Sequence, residues 1–193
     1  MTDEPQLTWP VPPARGWLAD DLDRLPDLPP HTELIDGSLV FVSPQTAFHD
    51  KAMRLLQTGL LSAAPPEWDV LREMTVTLGP RNRPEPDVLV VRTDAIADPG
   101  QTTFRPEDVL LAVEVVSPDS EDRDRDAKPR KYAAAGIRHF WRVERENWLP
   151  VVHVFELDSE TRTYRAMGTY DDVLKLAVPF PLEIDLTAIT RRS

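Results

Sequence analysis

Val109-Leu-Leu-Ala-Val-Glu-Val-Val-Ser-Pro118 decides how the chain is read. Val109–Val113 with Val115 and Val116 form an apolar run of the kind that fills a buried central strand, yet Glu114 sits inside it. An ionised carboxylate taken out of water needs a partner charge, a metal or a shifted pKa. Glu114 therefore asks for a cation, and an arginine partner or an exit into water past the sheet edge would answer as well as a metal.

Downstream of this strand, Ser117-Pro-Asp-Ser120 has the composition of a helix cap. Glu121, Asp122, Asp124 and Asp126 favour the positive end of a helix dipole, and Gly136 is a natural stop. His139–Val143 then reads as a strand. Val151–Leu157 and Thr163–Met167 read as a C-terminal β-hairpin, and Val173–Leu186, with Pro179 and Pro181, as an edge strand plus a loop. Upstream, Asp87-Val-Leu-Val-Val91 is a short apolar strand introduced by an acid. Arg81-Asn-Arg-Pro-Glu-Pro86 before it is a basic turn, and Asp94–Glu107 after it a long surface loop. Trp68–Leu78 alternates as one strand opened at Glu73. Ala47–Ala64 carries its apolar residues on one helical face, and Asp36-Gly37 marks a hairpin within Glu33–Val42. Trp17, Leu18 and Leu22 imply a short helix. The prolines at 5, 10, 12 and 13 make residues 1–15 a flexible N-terminal arm, with residues 16–193 a single domain. Interleaved strands and helices give an α/β, mixed α+β architecture: a mixed central sheet flanked by helices.

The 193 residues suit one core, and a net charge of −11 with a pI near 4.8 removes any global field for nucleic acid. The absence of cysteine excludes disulfides, thiolate ligands and a cysteine nucleophile, and fits a cytoplasmic protein. No apolar run approaches the roughly 18 residues of a membrane span, so no membrane association is expected.

Asp87 and Glu114 each lie at or within an apolar strand. If those strands are neighbours, two hard oxygen donors converge, a set suited to Mg²⁺ or Mn²⁺ and to phosphodiester hydrolysis. In the following helix Asp124, Lys128 and Tyr132 share a face at i, i+4, i+8, which lets Lys128 reach back toward Glu114 and assist an attacking water. Pro129, which cannot donate an N–H, can kink that helix or mark its start, in which case Lys131 is the alternative cation. A solvated lysine paired with Asp124, a Tyr132 in the core and a strand-capping Asp87 are the ordinary readings of the same residues.

Glu33-Leu-Ile-Asp-Gly37, Pro86-Asp87-Val-Leu-Val90, Val113-Glu-Val-Val-Ser-Pro118, Asp124, Lys128, Tyr132, Gly136 and Phe140-Trp141, in this order, resemble the Uma-two family. Its members are restriction-endonuclease-like proteins of the PD-(D/E)XK nuclease superfamily. The resemblance implies a restriction-endonuclease-like core, with Asp87 and Glu114 as metal ligands and Glu33 as a further acid near the metal. Where the superfamily pattern places a lysine two residues after the glutamate, this chain has Val116, and Lys128 matches the helix lysine that takes over in the family. His49 matches a family position with no assigned role, and Glu73 stands between metal shell and surface strand. Arg81, Arg83 and Lys131 are candidate phosphate contacts. The expected activity is Mg²⁺-dependent (or Mn²⁺-dependent) endonucleolytic hydrolysis of DNA, in a possible homodimer. The alternative is a catalytically inactive regulatory or protein-interaction module on the same fold.

Overall fold

A computed structural model describes residues 11–190. Most of the expected arm, residues 1–10, lies outside the described residues, and residues 11–15 form no helix or strand. Helix α1 (Ala19–Leu22) is a single turn leading to the hairpin β1 (Glu33–Ile35) and β2 (Ser38–Val40). Asp36 at φ 52° and Gly37 at φ 81° form the expected tight turn, in the left-handed conformation that matches hairpin twist. Helix α2 (Ala47–Ala63) is capped by the Thr46 hydroxyl, which accepts the His49 N–H at 3.2 Å.

Four expectations change, the last of them at the C-terminal hairpin. Trp68–Leu78 is two strands, β3 (Trp68–Arg72) and β4 (Thr75–Val76), because Glu73 takes the left-handed φ of 53° and breaks the ladder. After β5 (Val88–Arg92), the expected surface loop contains β6 (Thr103–Phe104), which pairs in parallel with β4. Past β7 (Val109–Val115), the helix is continuous through Pro129 but not uniformly α. Arg123–Ala127 form a π-turn in which the Lys128 N–H bonds to the Arg123 carbonyl, and α3 (Lys128–Ala135) follows. Pro129 has no N–H for the carbonyl four residues back, and the wider turn precedes the gap. Gly136, at φ 93°, ends α3.

Strands β8 (His139–Glu146), β9 (Leu149–Asp158) and β10 (Thr163–Tyr170) complete a six-stranded sheet of order β10-β9-β8-β7-β5-β3. Only β7 and β8 are parallel, joined through α3 as parallel neighbours require. The chain closes with a second hairpin, β11 (Val173–Leu176) and β12 (Leu182–Asp185), where an edge strand plus a loop was expected.

Alternation along β7 divides the core in two. Leu111, Val113 and Val115 join Val88, Val90, Trp141 and Val143 on the face covered by α2, β11 and β12. Val109 and Ala112 join Leu89, Val91 and Phe140 against Tyr132 of α3. On the first face Gly59 of α2 lies so close to β12 that a Cβ there would stand 2.5 Å from Ile184 Cδ1 and 2.6 Å from its Cγ1. Among the described residues no helix is long and apolar enough to cross a membrane.

Candidate active site

Val88 pairs with Val113 and Leu89 with Ala112, and the same register one step further sets Asp87 opposite Glu114 at the end of β5. Glu114 has the parity of Ala112, so its carboxylate points to the α3 side, where it is 1 % exposed. Its Oε1 accepts the Tyr132 hydroxyl at 2.5 Å and its Oε2 accepts Lys128 Nζ at 3.0 Å. The i, i+4, i+8 face thus survives the π-turn, since Asp124 Oδ1 also lies 3.2 Å from Lys128 Nζ. Glu33, at the start of β1, supplies a third carboxylate 2.9 Å from the same ammonium and accepts the Glu85 N–H at 2.8 Å. The Ser120 hydroxyl holds the other oxygen of Asp124.

Asp87 is fixed separately. Its Oδ2 accepts the Val115 N–H at 2.6 Å and its Oδ1 accepts His49 Nε2 at 2.9 Å. That contact orients a buried imidazole whose Nδ1 has no partner among the described residues.

Charge and burial oppose each other here. Desolvation works against the charge on Lys128, but Glu114, Glu33, Asp124 and Asp87 outweigh it and hold its pKa well above the usual lysine range. Burial, and then the neighbouring carboxylates, raise Glu114 well above the ordinary value although Lys128 pulls the other way. Asp124 is raised for the same reasons. Tyr132 is also pushed well up by burial and the adjacent carboxylates, so its hydroxyl stays a donor.

The remaining residues divide. Glu73 lines the rim of the cleft together with His31 and Glu85, which the sequence reading did not single out. His31 Nδ1 lies 2.5 Å from Glu85 and 3.9 Å from Glu73. The hydrogen bond to Glu85 raises the His31 pKa, while burial raises that of Glu85. Pro84-Glu-Pro-Asp87, two acids held stiffly ahead of a strand, was the available signal. Three expected phosphate contacts lie elsewhere. Arg83 is 4 % exposed and bonds to Thr75, Ala19, Asp23 and Thr102, which is a structural role. Arg81 binds the carbonyls of Arg15 and Asp36, and Lys131 pairs with Asp36 rather than facing Glu114.

The cleft encloses about 40 Å³, room for an ion and a water or two. Three buried carboxylates, Glu33, Glu114 and Asp124, surround one ammonium and a fourth, Asp87, acts on it from further off, an excess of acids that a bound cation would offset. No group of three or more ligating side chains stands ready for a metal among the described residues. Mg²⁺ does not require one, since it uses one or two carboxylates and keeps several waters. The donor chemistry of hard carboxylate oxygens fits such an ion.

The model of a protein family described as "Putative restriction endonuclease", Uma2, matches residues 19–188. Among solved structures, a protein from Anabaena variabilis described as a "putative nuclease belonging to DUF820" superposes with a TM-score of 0.61. The match covers 88 % of this chain and 95 % of that one at 17 % identity, so the two share a fold. No curated protein matches the chain in sequence.

Proposed function

The chain belongs to the Uma2 family of restriction-endonuclease-like proteins, and on that premise we propose that it is a Mg²⁺-dependent endonuclease hydrolysing phosphodiester bonds in DNA. One observation carries the reading. Lys128 is delivered by the helix to Glu114, opposite Asp87, and so supplies the charge that Val116 does not.

When bound, the divalent ion activates water and neutralises charge building on the phosphoryl group. The chain's own residues prepare for this. Tyr132 and Lys128 lock the Glu114 carboxylate, and His49 with the Val115 N–H locks Asp87, so neither acid has to be oriented during the reaction. Lys128 remains an ammonium at neutral pH. Its part is therefore to stabilise developing negative charge through its field, not to abstract a proton. Glu33 and Asp124 hold Nζ in place from the two remaining sides. The test is nicking of supercoiled plasmid DNA with Mg²⁺ or Mn²⁺, expected to vanish in EDTA, in Asp87→Ala and in Lys128→Ala. Activity unchanged in both variants would sink the assignment.

A second reading has its own support. Lys128 already neutralises part of the acid cluster, so the network can stand as a purely structural ion-pair core in a non-catalytic interaction module. It predicts no heat of binding for Mg²⁺ or Mn²⁺ in titration calorimetry.

A further inference from the structure

Strands β8 and β9 stay paired up to Glu146 and Leu149, which leaves Asn147-Trp148 as a two-residue turn. Both residues have positive φ, 46° and 70°. That turn favours Asn followed by Gly, and a tryptophan in the second place is strained. Trp148 is 73 % exposed. Beneath it, the Arg145 guanidinium carbon lies 5.3 Å from the Trp148 ring centroid and 6.0 Å from that of Phe48. No carboxylate pairs with Arg145 among the described residues.

This stack stands beside the acidic cleft. The Val116 N–H donates to the Val143 carbonyl at 2.8 Å, so β7 stays beside β8 to its end, and β8 runs on with β9 to the turn. Arg145, Phe48 and Ser117 line one surface depression of about 230 Å³, and Ser117 also lines the cleft of Asp87 and Glu114. Phe48 directly precedes His49, which holds Asp87.

We propose that Trp148, backed by Arg145 and Phe48, is a base-stacking platform for single-stranded or locally opened nucleic acid at the mouth of the acidic cleft. The class of ligand rests on the nuclease reading. The contact itself answers a difficulty which that reading raises. A chain of net charge −11 has no global field to draw in phosphates, and Arg81, Arg83 and Lys131 are engaged by acceptors of the protein itself. Stacking on an aromatic face needs no net positive charge, tolerates any base and is reinforced by an arginine over the ring. An unpaired guanidinium behind the indole favours such an anionic, π-faced ligand over a purely apolar protein surface.

The experiment is fluorescence anisotropy of the full chain with a short labelled single-stranded oligodeoxynucleotide in EDTA, where no cleavage occurs, together with thermal melting. Trp148→Gly is expected to weaken binding about tenfold or more while raising the melting temperature, because glycine fits the turn. Trp148→Phe is expected to keep most of the affinity, and the salt dependence of binding is expected to be the same in all three proteins. Unchanged binding by Trp148→Gly in a wild-type protein that binds and cleaves DNA overturns the platform and leaves the nuclease reading standing. Loss of self-association with unchanged oligonucleotide binding, or a Trp148→Phe variant as weak as Trp148→Gly, overturns it as well. A wild-type protein that neither binds nor cleaves DNA overturns the nuclease reading and the platform with it.

Discussion

Lys128 Nζ lies 3.0 Å from Glu114 Oε2, a buried ion pair made across 14 positions of sequence. Its energetic role follows from what removal would leave. In Lys128→Met, Glu33, Glu114 and Asp124 would face one another without the cation, and a broken buried pair costs about 3–5 kcal/mol. Urea denaturation at neutral pH is expected to show that loss. Glu114, already raised above its ordinary value by burial, takes up protons more readily in the folded state than in the unfolded one. The variant is therefore expected to recover stability as the pH falls and to lose it as the pH rises.

Metal binding and cleavage separate in the same variant. Titration calorimetry with Mn²⁺ is expected to show binding to the wild-type protein and none to Asp87→Asn or Glu114→Gln. Lys128→Met, relieved of its competing ammonium, is expected to bind Mn²⁺ at least as tightly as the wild type, and to be stabilised more by it in melting experiments, while failing to cleave DNA. A Lys128→Met protein that binds no Mn²⁺ would contradict this division of labour.

Tyr132→Phe removes the hydroxyl that donates to Glu114 Oε1 without opening a cavity. A buried carboxylate oxygen losing its donor costs about 1–3 kcal/mol, to be read from the denaturation midpoint. Turnover of plasmid is expected to fall with little change in DNA affinity, because the tyrosine orients Glu114 and is itself fully buried.

His139 gives the fold a pH limit independent of the site. Burial lowers its pKa from 6.5 to about 4. Below pH 6.5 the unfolded chain therefore takes up a proton that the folded chain refuses, and stability declines as the pH falls from about 6.5 toward 4, by on the order of 2 kcal/mol after allowance for solvent screening. His139→Phe is expected to flatten that part of the stability profile. An unchanged slope would show that other groups set it.

Gly59→Ala tests the packing of α2 on the last hairpin. Alanine gains about 1 kcal/mol in helix propensity, but its Cβ would meet Ile184 Cδ1 at 2.5 Å, and overpacking of this kind costs about 1–3 kcal/mol. A net loss of stability is expected, partly restored by adding Ile184→Val, which removes Cδ1.

What could be read in advance was what local chemistry determines. Asp36-Gly37 gave its hairpin because only certain residues accept that turn. Glu114 and Asp87 stood out because acids are costly inside apolar runs. Asp124, Lys128 and Tyr132 were found by spacing, and their meeting at one buried point survives a π-turn that nothing but Pro129 hinted at. What escaped depends on distant parts of the chain. His49 meets Asp87 across 38 positions, through the placement of a helix end no local pattern specifies. Arg83 reads as a loop cation and becomes a buried tie because residues 60 and 64 positions away, Asp23 and Ala19, supply its acceptors. The two-residue strands β4 and β6 are too short to show a period. In the last hairpin, Pro179 and Pro181 fall between the strands β11 and β12, and prolines there read as readily as the end of strand structure as a turn between two strands.

The π-turn at Arg123–Ala127 has a consequence for how such a site can change. A lysine on β7 would be aimed by the two-residue alternation of the sheet, and only a shift of the whole strand could redirect it. Carried on a helix, the ammonium is aimed by rotation, about 100° for each residue gained or lost upstream. Tyr132 packs into the α3-side core from the same helical face as Lys128, so that face cannot turn away freely, and the wider turn at Arg123–Ala127 is where a residue gained or lost can be taken up without turning it. The acids are fixed by strand register and the cation by helical phase, and the core packing of Tyr132 ties that phase to the sheet, so the charge balance of the centre is held by the same contacts that hold the fold.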